Sequence, residues 1–216
     1  MTDEPLREFE DGVAWWGTRN WPQDLHNAFY VDRQAMTEGT FDTAWWDSTR
    51  RHLHHWRANR GVGRDELDRR FARLRTDLIR VWQRVIEPRL SAGDDITSVS
   101  WDDVRVLPEL AAEIKHTKSG SGVFPSKFSH FIAPQLFPVL DRTALPGSGL
   151  DYGSYFMLVQ ETWAGMEPED QQALRARLTS LVQQRSGGSM VNGYPIVNKI
   201  VELRLIGRRH PTCQSS

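Results

Sequence analysis

One lysine and one aspartate, fourteen residues apart, could together carry out chemistry at a sugar carbon. Lys127 lies in the largely apolar segment 122–131, and Asp141 follows a short stretch bounded by Pro134 and Pro138. A lysine loses its charge readily when it is desolvated, and the neutral amine is then a nucleophile. A carboxylate close to it can stabilise positive charge that develops on the sugar. The pair therefore predicts attack by an amine on an anomeric carbon.

Local helix signals predict how these two side chains are positioned. Ser126 is expected to be the N-cap of a short helix that ends before Pro134, which places Lys127 in the first turn. The positive end of the helix dipole disfavours a charged lysine there, and desolvation acts in the same direction. His130 lies three residues further on the same helical face. Asp141 reaches the lysine if the flanking helices form a hairpin.

The segment 126–141 has the pattern Ser-Lys-Phe-x-His-Phe-x-x-Pro-x-x-Phe-Pro-x-x-Asp. This pattern resembles bacterial proteins similar to 8-oxoguanine DNA glycosylase, which are distant members of the helix–hairpin–helix DNA glycosylase superfamily. The resemblance covers roughly residues 122–145. It implies a damaged base in DNA as substrate, Lys127 as the nucleophile, Asp141 as the partner that supports the oxocarbenium charge, and no cofactor. It also implies a Schiff base that can eliminate the 3′ phosphate. The superfamily's usual Leu-Pro-Gly-x-Gly hairpin stands here at 145–149, after the aspartate rather than before the lysine.

Further residues follow from this hypothesis. A base flipped out of the stack needs aromatic and polar neighbours, for which Phe124, His130 and Phe131 are the candidates. Candidates for contacts to the nucleic-acid backbone are Arg50, Arg51, Arg57, Arg60 and Lys118. Structural roles stay open for the central residues: Lys127 as an exposed first-turn lysine, Asp141 as a helix N-cap, and His130 as a hydrogen-bonded core histidine.

Periodic apolar residues predict an all-α fold of about eight helices. The clearest covers 64–87, and Ser100 with Asp103 resembles a capping box that opens the next helix. Asp151 is expected to cap an apolar helix, and a further amphipathic helix over 168–185 is expected to end at Gly187–Gly188. The last helix is expected to begin at Pro195 and to end with Gly207 as its cap.

The charge is polarised along the chain although the net charge is only −1. Residues 1–49 hold ten acidic residues and three arginines, whereas residues 50–90 hold twelve arginines and five acidic residues. Either the acidic residues 1–49 pack on the basic residues 50–90, or the arginines of 50–90 contact a phosphate backbone. The neighbouring His52, His54 and His55 lack accompanying carboxylates, so a metal site is not expected there, and no metal is expected elsewhere.

Composition is that of a globular chain, with 39% hydrophobic and 25% charged residues. The acidic N-terminus does not have the pattern of a signal peptide, and no apolar run is long enough to cross a bilayer. We therefore expect a cytoplasmic protein without a membrane partner. The expected parts are a Trp-rich helical region over 1–118, a helical region over 119–210 with the Lys/Asp segment, and a disordered tail over 211–216 that contains the single cysteine, Cys213.

Three functions remain compatible with these observations. The leading hypothesis is a base-excision DNA glycosylase, with damaged DNA as partner. The second is a helical module that binds nucleic acid or protein without catalysis, and its partner is not specified by the sequence. The third is a hydrolase that processes free nucleosides in a pocket built from the tryptophans, eight of which lie in the first 101 residues.

Overall fold

The protein is all-α, as predicted. The computed structural model describes residues 3–34, 39–116, 121–142, 144–145 and 149–212, and these residues contain no strand. Helical segments within them are α1 (Asp3–Gly17), α2 (Asn27–Gln34), α3 (Thr43–His55), α4 (Arg64–Val81), α5 (Glu87–Ser91), α6 (Trp101–Val104), α7 (Val106–Ile114), α8 (Val123–Ile132), α9 (Tyr152–Ala164), α10 (Pro168–Ser186) and α11 (Ile196–Arg209). A π-helical turn, Trp82–Ile86, joins α4 to α5.

Several helix boundaries lie where the sequence signals place them. Ser100 and Asp103 form a reciprocal capping box at the start of α6, and the Asp151 carboxylate accepts from the Ser154 backbone at the start of α9. Gly187 ends α10 with a φ of 67°, a left-handed conformation that glycine adopts without steric cost. These signals were reliable because each depends on residues within one turn of the boundary.

Other boundaries were predicted wrongly. Helix α8 begins at Val123 rather than at Ser126, because Ser126 turns its hydroxyl back to the Val123 carbonyl instead of capping the helix. Lys127 is therefore in the second turn, further from the positive end of the helix dipole than expected. Gly207 does not end α11, which continues to Arg209. The described residues also contain more helical segments than the eight expected, since short ones such as α5 and α6 carry no long apolar periodicity.

The first and last helices pack closely against each other. A Cβ on Gly12 of α1 would lie 1.9 Å from the Leu203 carbonyl oxygen, and one on Gly207 of α11 would lie 1.8 Å from the Glu8 carbonyl oxygen. Glycine is thus used here for close approach of two backbones. Glu8 also accepts from the buried Arg204 side chain, at 2.6 Å. This contact ties the start of the described chain to its end.

Helix α8 is almost entirely buried, and it packs against α3, α7 and α9, while α4 packs on α7. The buried apolar residues form one cluster that includes members of both predicted parts of the chain. The division near residue 118 stays a prediction. In the expected tail, Pro211 and Thr212 are exposed, and residues 213–216 lie outside the described residues. No helix within the described ranges is long and apolar enough to cross a membrane.

Candidate active site

Lys127 and Asp141 form an ion pair. The lysine, on α8, is 4% exposed, and its Nζ donates to Asp141 Oδ2 at 2.8 Å and to the Trp56 carbonyl oxygen at 2.8 Å. The aspartate side chain is 22% exposed, so the carboxylate lies at the outer edge of the pair. An exposed Arg142 follows it in the chain. Lys127 is therefore a buried lysine, not an exposed first-turn lysine.

A pinned return loop, not a second helix, brings Asp141 to the lysine. After α8 ends at Ile132, the chain runs back without helical structure, and the Leu140 amide donates to Ser126 Oγ at 3.1 Å. The Tyr152 hydroxyl donates to the Pro138 carbonyl at 2.9 Å. These bonds fix the loop on both sides, and Asp141 is not a helix N-cap. The helix that follows is α9, which Asp151 caps.

The end of α3 covers the amine. Trp56 is the C-cap residue of that helix, and Arg57 after it has a φ of 56°, which is strained for a residue other than glycine. Lys115 Nζ donates to the Ala58 carbonyl at 2.6 Å, so two lysines bind carbonyl oxygens of the segment 56–58. An ammonium at a helix C-terminus stabilises it, which gives Lys127 a structural role alongside any chemical one.

His130 is hydrogen-bonded on both ring nitrogens. Its Nδ1 lies 2.7 Å from the Phe137 carbonyl oxygen, which can only accept, so Nδ1 carries the proton. Nε2 therefore accepts from the Tyr30 hydroxyl at 2.8 Å. Burial lowers the pKa of His130 to about 3, although the bond to the Phe137 carbonyl acts in the opposite direction. The ring is held neutral between α2 and the return loop.

The aromatic candidates lie near opposite ends of α8 and belong to different groups of rings. Phe131 contacts Trp56 edge-on, with ring centroids 4.9 Å apart, and it borders a cleft of about 320 Å³ lined also by Tyr30 and His130. Phe124 is 1% exposed and stacks on Phe128 in the core. Phe131 is therefore next to the residue that covers the amine, whereas Phe124 is not part of that group of rings.

The basic candidates differ in how far their charge is already compensated. Arg50 forms ion pairs with Asp47 and Asp68, and its side chain is 15% exposed. Arg51, Arg57 and Arg60 are exposed and form no ion pair with the residues that the structure describes. Lys118 lies outside the described residues. Arg57 directly follows the residue that binds Lys127, so exposed positive charge stands beside the pair.

The neighbouring histidines do not form a metal centre in the described part of the chain. No three His, Cys, Asp or Glu side chains within those ranges are arranged to hold a metal ion. His54 and His55 are exposed, while His52 is partly buried, and burial together with Arg33 lowers its pKa.

Sequence reasoning missed several residues of this region. Trp56 was not singled out, although it covers the amine, and the burial of Lys199, which is 3% exposed, was not predicted. Only the apolar stripe of α11 could have signalled that burial, because Ile200 directly follows Lys199 and Leu203 directly follows Glu202. Compared with models of protein families, with curated proteins and with solved structures, the chain matches none of them. We therefore infer the function from the geometry of the site.

Proposed function

We propose that this protein is a base-excision DNA glycosylase in which Lys127 attacks the C1′ carbon of a damaged nucleotide. The observation that carries the proposal is the buried Lys127–Asp141 pair, with Nζ and Oδ2 2.8 Å apart at a partly exposed edge. An amine and a carboxylate at this distance can act on the same sugar carbon. Arg57, which follows Trp56 in the chain, is exposed and forms no ion pair within the described residues, so it supplies positive charge for a phosphate backbone.

The reaction balances with the residues present. The ammonium of Lys127 first gives one proton to the departing base, and its lone pair then forms a bond to C1′ while the C1′–N bond breaks and its electrons leave with the base. The Asp141 carboxylate stabilises the positive charge on the sugar as that bond breaks. It then takes a proton from the secondary ammonium. Asp141 returns that proton to the sugar O4′ as the C1′–O4′ bond breaks, which gives a protonated Schiff base that borohydride reduces to a stable amine.

One bond must be broken before this attack. Nζ donates to the Trp56 carbonyl as well as to Asp141, and Trp56 stands over the amine with its ring centroid 6.0 Å from Nζ. We infer that Trp56 moves away when a sugar approaches the amine. The strained Arg57 next to it is suited to act as the hinge, because a residue held at positive φ relaxes when its surroundings are released.

The decisive experiment is borohydride trapping on duplexes that carry 8-oxoguanine, uracil or an abasic site. Wild type, Lys127→Met and Lys115→Met are compared after their folding has been checked by circular dichroism. Lys115→Met is the matched control, because Lys115 also donates to a carbonyl of the segment 56–58 but forms no ion pair with Asp141. We expect an adduct with a damaged base for wild type and Lys115→Met and none for Lys127→Met.

Two results would reject the proposal. One is the absence of any adduct on damaged-base duplexes from folded wild-type protein, which favours a module without catalysis. The other is an adduct that persists in Lys127→Met. Turnover of free nucleosides but not of duplexes would instead support the nucleoside hydrolase. An adduct on the abasic site alone does not distinguish these cases, because many amines trap an open sugar.

A further inference from the structure

A cleft of about 490 Å³ lies where α1 and α11 meet the segment between α9 and α10. Its volume is in the range of small-molecule sites. The charged residues that line it are Glu4, Glu161, Glu167, Asp170, Arg204 and Arg208. Neither Lys127 nor Asp141 lines the cleft, so it is separate from the candidate active site.

Both arginines of the cleft are already bound within the fold. Arg204 is 3% exposed, and its Nε and Nη2 donate to Glu8 Oε2 at 3.0 and 2.6 Å. Arg208 Nε donates to Glu8 Oε1 at 2.5 Å. These three side chains together carry one positive charge. The lining holds four carboxylates, and none of them forms an ion pair within the described part of the chain. The cleft therefore has an excess of negative charge.

Asp170 is the buried member of this group of carboxylates. It lines the cleft although it is only 4% exposed, and among the described residues its side chain accepts no hydrogen bond and forms no ion pair. A buried carboxylate without a partner is costly. Its place in the first turn of α10 favours negative charge, because the positive end of the helix dipole lies there. A cation in the cleft would supply the partner that the fold does not.

The end of α9 also favours positive charge in the cleft. Thr162 is in its last turn, Gly165 is its C-cap residue, and both line the cleft. That turn holds no basic residue, and the Thr162 carbonyl accepts a long bond of 3.5 Å from Arg204. Carbonyl groups at a helix C-terminus carry partial negative charge, which stabilises a nearby cation. The carboxylates and the end of α9 thus act in the same direction.

The size of the cleft and the placement of its carboxylates indicate which kind of cation fits. A volume of about 490 Å³ is far more than one metal ion fills. The carboxylates come from different elements, with Glu4 on α1, Glu161 on α9 and Asp170 on α10. Pro5 and Met166 add apolar surface to the same lining. A polyamine matches this pattern, because its ammonium groups, each with several N–H donors, are separated by methylene chains.

We propose that this cleft binds an aliphatic polyamine, with Asp170 accepting from one ammonium group and the exposed Glu4 and Glu161 accepting from the others. The site goes beyond the proposed function and does not depend on Lys127. A ligand that contacts α1, α9 and α10 together connects elements from both ends of the described chain. Because only the folded chain forms the cleft, the ligand raises the melting temperature once its concentration exceeds the dissociation constant.

The test compares two acidic residues in the same turn of α10. Asp170 and Glu169 are both in the first turn of that helix, but Glu169 is exposed and does not line the cleft. Asp170→Asn and Glu169→Gln therefore change the net charge and the helix dipole interaction alike. Spermidine binding is measured by calorimetry and by thermal unfolding for wild type and both variants. The buffer contains about 0.15 M NaCl, which screens distant exposed charges.

We expect spermidine to bind wild type and Glu169→Gln equally and to raise the melting temperature of both. Asp170→Asn should weaken binding by about tenfold, the value of one hydrogen bond to a charged group. Butylamine, which has a single ammonium group, should bind more weakly than spermidine. Lys127→Met should bind spermidine like wild type, since Lys127 does not line the cleft.

Four results would overturn the site. These are no spermidine binding to folded wild type, unchanged binding in Asp170→Asn, equal weakening in Asp170→Asn and Glu169→Gln, or loss of binding in Lys127→Met. Equal weakening would show diffuse attraction to an acidic surface. If Asp170→Asn does not fold, Glu161→Gln replaces it, because that side chain is exposed and lines the cleft. Glu161→Gln should weaken binding by about threefold, and an unchanged affinity would reject the proposal equally.

Discussion

Acid should destabilise this protein well above the pH at which carboxylates titrate, and His130 supplies a calculable part of the effect. The ring is buried and neutral, with a pKa of about 3 in the fold against 6.5 in a free histidine. A histidine whose pKa is lowered on folding contributes stability that is complete above pH 6.5. That stability is lost as the pH falls towards 3, because the histidine binds a proton in the unfolded chain but stays neutral in the folded one. From pH 7 to pH 5, this loss amounts to about 2 kcal/mol.

The assay is urea unfolding followed by tryptophan fluorescence at pH 7 and pH 5, for wild type and for His130→Gln. Glutamine does not titrate, and it can still donate to the Phe137 carbonyl or accept from the Tyr30 hydroxyl. The His130→Gln variant is expected to be less stable than wild type at both pH values, so only the change in the free energy of unfolding between pH 7 and pH 5 is compared. The wild-type free energy of unfolding should fall by about 2 kcal/mol more than that of the variant. Equal falls in the two proteins would refute the conclusion that the buried ring stays neutral in the fold.

Three further predictions concern packing and the candidate site. Gly207→Ala should lower the free energy of unfolding by more than about 2 kcal/mol, because its Cβ would overlap the backbone of α1. Exposed Gly188→Ala, with open space around it, should change that free energy by less than about 0.5 kcal/mol, and thermal unfolding compares the two. A double-mutant cycle with Lys127→Met and Asp141→Asn in urea should give a coupling of about 1–3 kcal/mol, and a coupling near zero would contradict the ion pair. Ser126→Ala should cost about 1–2 kcal/mol by leaving a buried amide of the return loop without its acceptor, and an unchanged urea midpoint would show that this bond is dispensable.

Much of the helical architecture could be predicted from the sequence because its signals are local. The apolar stripe of α4, the capping box before α6 and the left-handed Gly187 each act within a few residues of where they stand. Gly207 was misinterpreted for the complementary reason. A glycine that ends a helix and one that admits a neighbouring backbone have the same sequence appearance, and only the crossing of α1 and α11 distinguishes them.

The sequence by itself determined that the chain forms amphipathic helices, that Lys127 lies in an apolar one and that Asp141 follows within reach, because helix periodicity and residue type are properties of short segments. Only the tertiary structure decided which groups accept from the Lys127 amine. The Trp56 carbonyl comes from the end of α3, and the Asp141 carboxylate comes from a loop held by a bond to Ser126. It also decided that Lys199 is buried and pairs with Glu202. The physical reason is that burial and ion pairing depend on which helix faces meet, and those contacts join residues that have no local signal in common.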